Sequence, residues 1–65
     1  MNYSHKFLRA KQVAEMTSLS IPSIYRLQSQ GKFPKSVRIA GNTTRWIFSE
    51  IEEYLNDRIL ERNLT

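Results

Sequence analysis

The residues of this chain with the clearest chemical meaning are its lysines and arginines. Between residues 16 and 49 the sequence carries five bases and no acid, whereas from residue 50 onward it carries five acids and two bases. A basic stretch without carboxylates is typical of a surface that binds polyanions such as nucleic acid, because a nearby Asp or Glu would repel phosphate. A basic face that is merely solvated would have the same composition.

Catalysis and metal binding have few suitable residues. The sequence has no cysteine and a single histidine, His5, with no carboxylate near it in the sequence. A chain of 65 residues also buries too little surface to enclose a substrate cavity beside its own core. We therefore expect a non-enzymatic protein without a cofactor, a metal ion or a small-molecule substrate.

The distribution of apolar residues bears on location. No apolar run approaches the roughly 20 residues that cross a bilayer, and the first ten residues lack the apolar block of a signal peptide. The absence of cysteine is compatible with a reducing compartment. We expect a cytoplasmic protein without a membrane partner.

Two short helices in tandem are predicted between residues 10 and 30. Apolar residues at helical spacing predict the first helix over residues 10–17, although Arg9 stands where a small polar cap is usual. The second helix, residues 21 to about 30, has a marked start, because Ser20 can accept a hydrogen bond from the Ser23 amide. Gly31 can adopt the left-handed backbone conformation that ends this helix. The tight connection between the helices predicts a helix-turn-helix.

A hairpin and a third helix complete the predicted domain. Alternation around Val37 and Ile39, then around Trp46 and Phe48, predicts two strands, and residues 41–44 form the predicted turn. A capping box that begins at Ser49 starts a third helix, which continues to about residue 62. The predicted fold is mainly α with a small β-hairpin, a winged helix-turn-helix. It forms a single domain over residues 1–65, in which residues 1–6 are a flexible arm.

The second helix and the hairpin carry the candidate DNA contacts. A helix with a small polar surface and one arginine suits the major groove, where Arg26 can either pair with guanine or hold a phosphate. The polar hairpin tip suits the DNA backbone or the minor groove, although its residues can equally be ordinary turn residues. The candidate DNA-contacting residues are Ser20, Ser23, Tyr25, Arg26, Gln30, Lys32, Lys35, Arg38, Asn42, Thr43, Thr44 and Arg45.

Several of these side chains have a structural interpretation as well. Gln28 and Gln30 can contact adenine or be ordinary solvated positions, and Gln28 points partly toward the core side of its helix. We expect the large aromatic residues to form the core rather than to stack on single-stranded bases, because they alternate inward with the aliphatic residues. These residues are Phe33, Trp46, Phe48 and Tyr54.

Four sequence elements together resemble the AlpA family of prophage regulators over about residues 7–57. They are Val13-Ala14-Glu15-Met16, the Ser-x-x-Ser-Ile-Tyr-Arg run of residues 20–26, Gly31-Lys32-Phe33-Pro34 and Arg45-Trp46. The resemblance implies a short MerR-like winged helix with a recognition helix at residues 20–30 and a wing around residues 42–45. This sequence departs from the family at Arg9, where a small polar cap is usual, and at Ser18, where glycine is common.

The resemblance also implies function and partners. Members of the AlpA family bind double-stranded DNA in bacterial hosts, as transcriptional regulators or as excisionases that act with an integrase. A single module of this size buries only about 600–1,000 Å² on DNA, so we expect further copies on adjacent DNA sites. The alternative is a protein-interaction module that binds an integrase or another partner through Leu60 and Leu64 on the last helix.

Overall fold

The protein is a winged helix-turn-helix in which three helices pack against a small antiparallel sheet. The computed structural model describes residues 5–63. In chain order the elements are β1 (Phe7–Leu8), α1 (Ala10–Thr17), α2 (Ile21–Ser29), β2 (Val37–Ala40), β3 (Thr43–Ile47) and α3 (Phe48–Asn63). The strand order is β1-β3-β2. The predicted fold class is confirmed, with one more strand than the sequence indicated.

The turn between α1 and α2 is formed by a serine in a conformation that favours glycine. Ser18 has φ 61° and ψ 21°, in the left-handed region, and its N–H donates to the Ala14 carbonyl at 2.8 Å. Thr17 supports the same turn, because its hydroxyl donates to the Val13 carbonyl and accepts from the Leu19 N–H. Ser18 therefore adopts the backbone geometry that a glycine would take more easily.

Both predicted ends of α2 are confirmed. The Ser20 hydroxyl accepts a hydrogen bond from the Ser23 N–H at 3.2 Å, as an N-cap does. At the other end Gly31 has φ 71°, its N–H donates to the Gln28 carbonyl, and the Lys32 N–H donates to the Leu27 carbonyl. This pair of bonds is a Schellman motif, which ends the helix abruptly. Local sequence therefore determines the residues at which α2 begins and ends.

The sheet contains a strand that the sequence analysis missed. In β1, Phe7 pairs with Ile47 and Leu8 pairs with Trp46, while the Lys6 carbonyl accepts from the Phe48 N–H at 2.8 Å. Two residues are too short a run to show alternation, so no periodic signal predicted this strand. The predicted arm of residues 1–6 needs correction at Lys6, which this bond fixes to the start of α3. Residues 1–4 lie outside the described residues.

The hairpin β2–β3, which we call the wing, has a tighter turn than predicted. Its turn is the two-residue loop Gly41-Asn42, because Ala40 pairs with Thr43, and Gly41 has φ 50°. Thr43 and Thr44 belong to β3 rather than to the turn. A register shift between Arg38 and Ala40 adds a bulge to β2, and such a bulge increases the local twist of an edge strand.

The boundary between β3 and α3 also differs from the prediction. Phe48 begins α3 instead of ending the strand, so Ser49 lies inside the helix and is not its N-cap. The strand enters the helix without a connecting loop, and the Phe48 N–H is occupied by the Lys6 carbonyl. Among residues 5–63, no helix combines the length and apolar character needed to span a membrane.

Within residues 5–63, six buried side chains from almost every element form the core. They are Leu8, Val13, Ile24, Phe33, Trp46 and Ile51. The prediction that aromatic residues build this core is confirmed for Phe33 and Trp46, while Phe48 and Tyr54 are half-buried and pack against it. The Phe33 and Tyr54 rings meet edge to face with centroids 4.7 Å apart. The core thus holds α2 and the wing on one scaffold.

Candidate nucleic-acid interface

Three polar side chains form a hydrogen-bonded row along the outward side of α2. The Ser20 hydroxyl donates to Ser23 Oγ at 2.8 Å, and Arg26 Nη2 donates to the same oxygen at 3.4 Å. Residues three apart lie on one helix face, so these contacts follow from their spacing. We call Ser20, Ser23 and Arg26 the serine–arginine row.

The row is accessible, and its chemistry suits an anionic or polar partner. Ser20 and Arg26 are exposed, whereas Ser23 is half-buried. A serine hydroxyl has one donor and two acceptor positions, so Ser23 can form a further hydrogen bond to a ligand beside its contacts with Ser20 and Arg26. The small serines permit close approach to the helix backbone, and Arg26 adds a guanidinium with several donors.

Tyr25 lies on the side of α2 that faces the wing. Its ring meets the Trp46 ring edge to face, with centroids 5.6 Å apart, yet 45% of the residue is exposed. Tyr25 therefore contributes to packing against Trp46 and remains partly accessible to a ligand. Gln30, at the end of α2, is exposed, and its N–H closes the helix by donating to the carbonyls of Arg26 and Leu27.

Gln28 is a structural residue whose role sequence reasoning missed. Its Oε1 accepts from Trp46 Nε1 at 3.1 Å and from the Ser36 N–H at 3.2 Å, while its Nε2 donates to Ser36 Oγ at 3.3 Å. With the amide engaged at both ends, Gln28 is not placed to contact adenine. The partners lie eight and eighteen residues away, so no local pattern could reveal them.

The wing presents one exposed arginine and one that is folded back. Arg38 is exposed on β2 and pairs across the wing with Thr44. Arg45 is half-buried, and its Nη1 donates to the Thr44 carbonyl at 2.7 Å. Asn42 and Thr43 are exposed at the turn and beside it. The wing therefore combines a small polar tip with the exposed side chain of Arg38.

The lysines between α2 and the wing lie in a different environment from the serine–arginine row. Lys32 and Lys35 line an open cleft of about 530 Å³, with Phe33 and Tyr54 also in its lining. The acidic side chains of α3 that line the same cleft are Glu50, Glu53 and Asp57. The carboxylates partly offset the lysine charges, so these lysines are weaker candidates for phosphate contacts than Arg26 or Arg38.

Comparison with known proteins shows which family this chain resembles. The family model described as "Prophage CP4-57 regulatory protein (AlpA)" matches residues 6–59, which include α2 and the whole wing. The chain is also 35% identical over 57 residues to "Uncharacterized protein ORF88" of Enterobacteria phage P4, covering 88% of this chain and 65% of that relative's length. No solved structure matches the chain. Since the family model spans most of the sequence, this chain belongs to the AlpA family of prophage regulatory proteins.

Proposed function

We propose that this protein binds double-stranded DNA at specific sequences and regulates a prophage or genomic island in a bacterial host. The serine–arginine row is the observation that carries this proposal. In the proposed complex, α2 lies in the major groove with this row against the base edges, while the wing contacts the adjacent backbone or minor groove. The protein acts at the nucleoid and performs no chemistry on the DNA.

The chemistry of α2 supports insertion into a groove. Arg26 is the only charged residue of the helix, so no carboxylate on α2 opposes a nearby phosphate. Arginine is the side chain best suited to a bidentate contact with guanine O6 and N7. The neighbouring serines are short enough to let the helix approach the base pairs closely.

The wing supports a second contact on the same duplex. Arg38 is exposed, and the tip at Gly41 and Asn42 carries no large apolar side chain that would resist a polar surface. A narrow minor groove attracts arginine by its negative potential. Lys32 and Lys35 add a smaller contribution from their cleft, while Arg45 lies in β3 with its Nη1 bonded to the Thr44 carbonyl.

The size of the domain supports binding by several copies. One module of this size covers about 600–1,000 Å² on DNA, which limits its specific affinity. Further copies on adjacent sites would add affinity and bend the DNA. This arrangement serves either excision, in which bent sites bring integrase-bound arms together, or regulation of an integrase gene. The matched family model is described as a regulatory protein, and both outputs are compatible with that description.

Selection from random duplexes, followed by titration at several salt concentrations, tests the DNA-binding proposal. With about five phosphate contacts, the slope of log K against log salt concentration should be about −4 to −5. A slope near zero, or failure to enrich any duplex, would overturn the proposal. Single-stranded DNA of the enriched sequence serves as the control and should bind more weakly than the duplex.

A role in excision and a role in regulating the integrase gene can be distinguished in cells that carry the neighbouring mobile element. The amounts of circular excised DNA, here called circles, and of integrase transcript are measured in cells that express the protein and in cells that lack its gene. Circles that disappear on deletion while the transcript stays constant would establish direct action in excision. Circles and transcript that change together would establish control of integrase expression.

A protein-interaction module is the second candidate, and the second half of α3 favours it. Ile59 and Leu60 are exposed at 51% and 60%, and residues 56–63 are all exposed. Leu64, the other residue named for this role, lies outside the described residues. An integrase that co-purifies with the protein in the absence of DNA, and that is lost on Leu60→Ser substitution, would support this candidate.

A further inference from the structure

The buried indole of Trp46 connects the wing to α2. Trp46 Nε1 donates to Gln28 Oε1 and to the Pro34 carbonyl, both at 3.1 Å. The tryptophan is fully buried, and a buried N–H without a partner is costly. Trp46 therefore holds a fixed orientation relative to α2 and to the segment that leads into β2.

Gln28 extends this connection to the first strand of the wing. The same amide oxygen accepts the Ser36 N–H, and the amide nitrogen donates to the Ser36 hydroxyl. Ser36 immediately precedes β2, whereas Trp46 belongs to β3. One side chain of α2 therefore binds at the base of both strands of the wing.

Side chains rather than backbone make this junction. In the part of the chain that the structure describes, no backbone hydrogen bond joins α2 to β2 or β3. The edge-to-face contact of Tyr25 with Trp46 adds a second link, one turn earlier on α2. Ring contacts tolerate small rotations, whereas a hydrogen bond weakens steeply as its angle departs from linearity. Gln28 is thus the directional link between α2 and the wing.

We propose that Gln28 is a positioning residue for DNA recognition, which sets the spacing and angle between α2 and the wing so that both engage one duplex. The inference rests on the proposed function for its consequence, but the junction itself can be tested without DNA. A wing held rigidly relative to α2 needs no further ordering when both elements bind one duplex. A mobile wing loses conformational entropy when it binds, and this loss weakens the affinity. Loss of Gln28 should therefore remove the contribution of the wing while α2 keeps its own.

Gln28→Met is the first test variant, because methionine keeps the length and much of the volume but removes every amide hydrogen bond. Gln12→Met is the matched control, since Gln12 lies on α1 and its side-chain oxygen accepts from the Arg9 N–H, far from the wing in the sequence. In the free protein, ¹⁵N relaxation should show that the order parameters of the wing amides fall below about 0.6 in Gln28→Met. The order parameters of the α2 amides should remain at about 0.85. The control should leave both unchanged.

Hydroxyl-radical footprinting on a duplex enriched by the wild-type chain supplies the DNA measurement. Gln28→Met should lose the protection made by the wing, retain the protection made by α2, and raise the dissociation constant about tenfold. Wing and α2 protections are assigned beforehand with Asn42→Ala and Arg26→Ala. If both protections persist, or both weaken equally in a folded variant, the inference is overturned.

A second variant covers the case in which Gln28→Met does not fold. Replacement of Trp46 by benzothienylalanine retains the ring shape and removes only the N–H donor to Gln28 and Pro34. It should loosen the wing in the same relaxation measurement, and unchanged wing dynamics would overturn the inference. If the wild-type chain enriches no duplex, the proposed function fails, while the relaxation data still decide whether Gln28 positions the wing.

Discussion

Arg26 Nη2 lies 3.4 Å from the hydroxyl oxygen of Ser23, one turn earlier on the same face of α2. This contact places the guanidinium along the outward side of the helix. Less side-chain entropy is then lost when the guanidinium engages a ligand. In the proposed complex with DNA, this pair would lower the entropy cost of a contact between Arg26 and a base.

Arg26→Ala should weaken binding to the enriched duplex by about 1–3 kcal/mol, which is the range for one lost bidentate base contact. Arg26→Lys should lose most of the same free energy, because an ammonium group lacks the planar fork of donors. The measurement is a set of titrations with the enriched duplex and with duplexes altered one base pair at a time. Equal weakening for every duplex would contradict a base contact and identify a phosphate contact.

Arg38→Ala should make the salt slope of DNA binding less steep by about 0.9, the value for one phosphate contact. Arg58→Ala is the matched control, since Arg58 is an exposed arginine on α3 that forms an ion pair with Glu61. Both variants remove one positive charge, so a general electrostatic effect would change both slopes alike. That result would contradict the placement of the wing on the DNA.

Ser18→Gly should stabilise the fold by about 0.5–1 kcal/mol, because glycine adopts φ 61° without the steric cost that serine bears. The expected rise in Tm is about 2–8 °C for a domain of this size. Ser29→Gly is the control in the opposite direction, since Ser29 has helical geometry and its hydroxyl donates to the Arg26 carbonyl. Ser29→Gly should lower the Tm. If Ser18→Gly also lowers the Tm, the positive φ of Ser18 does not destabilise the fold.

Local sequence predicted those parts of the fold that local interactions determine. The cap at Ser20 and the left-handed stop at Gly31 involve partners within five residues, so both ends of α2 could be placed from the sequence. The serine–arginine row follows from the same helical spacing. The winged architecture was predictable because the hairpin and α3 each have a clear period.

The features that the sequence did not predict depend on partners distant in the chain. Gln28 meets Trp46 and Ser36 only after the wing folds onto α2. Lys32 and Lys35 share their cleft with carboxylates of α3, a proximity that no local pattern encodes. The strand β1 has just two residues and is defined by its pairing with β3. Tertiary contacts therefore decide which predicted site residues lie together.

Leu8→Ala tests whether this short strand contributes to the core. Leu8 is 3% exposed and pairs with the fully buried Trp46, so its truncation should cost about 2–4 kcal/mol. Phe7→Ala changes the adjacent residue of the same strand, but Phe7 is 43% exposed and should cost about 1 kcal/mol or less. Urea denaturation of both variants measures the difference. Leu8 and Trp46 belong to the same core cluster, so Leu8→Ala should also broaden the Trp46 indole N–H resonance. Equal destabilisation by both variants would mean that β1 contributes only its backbone pairing.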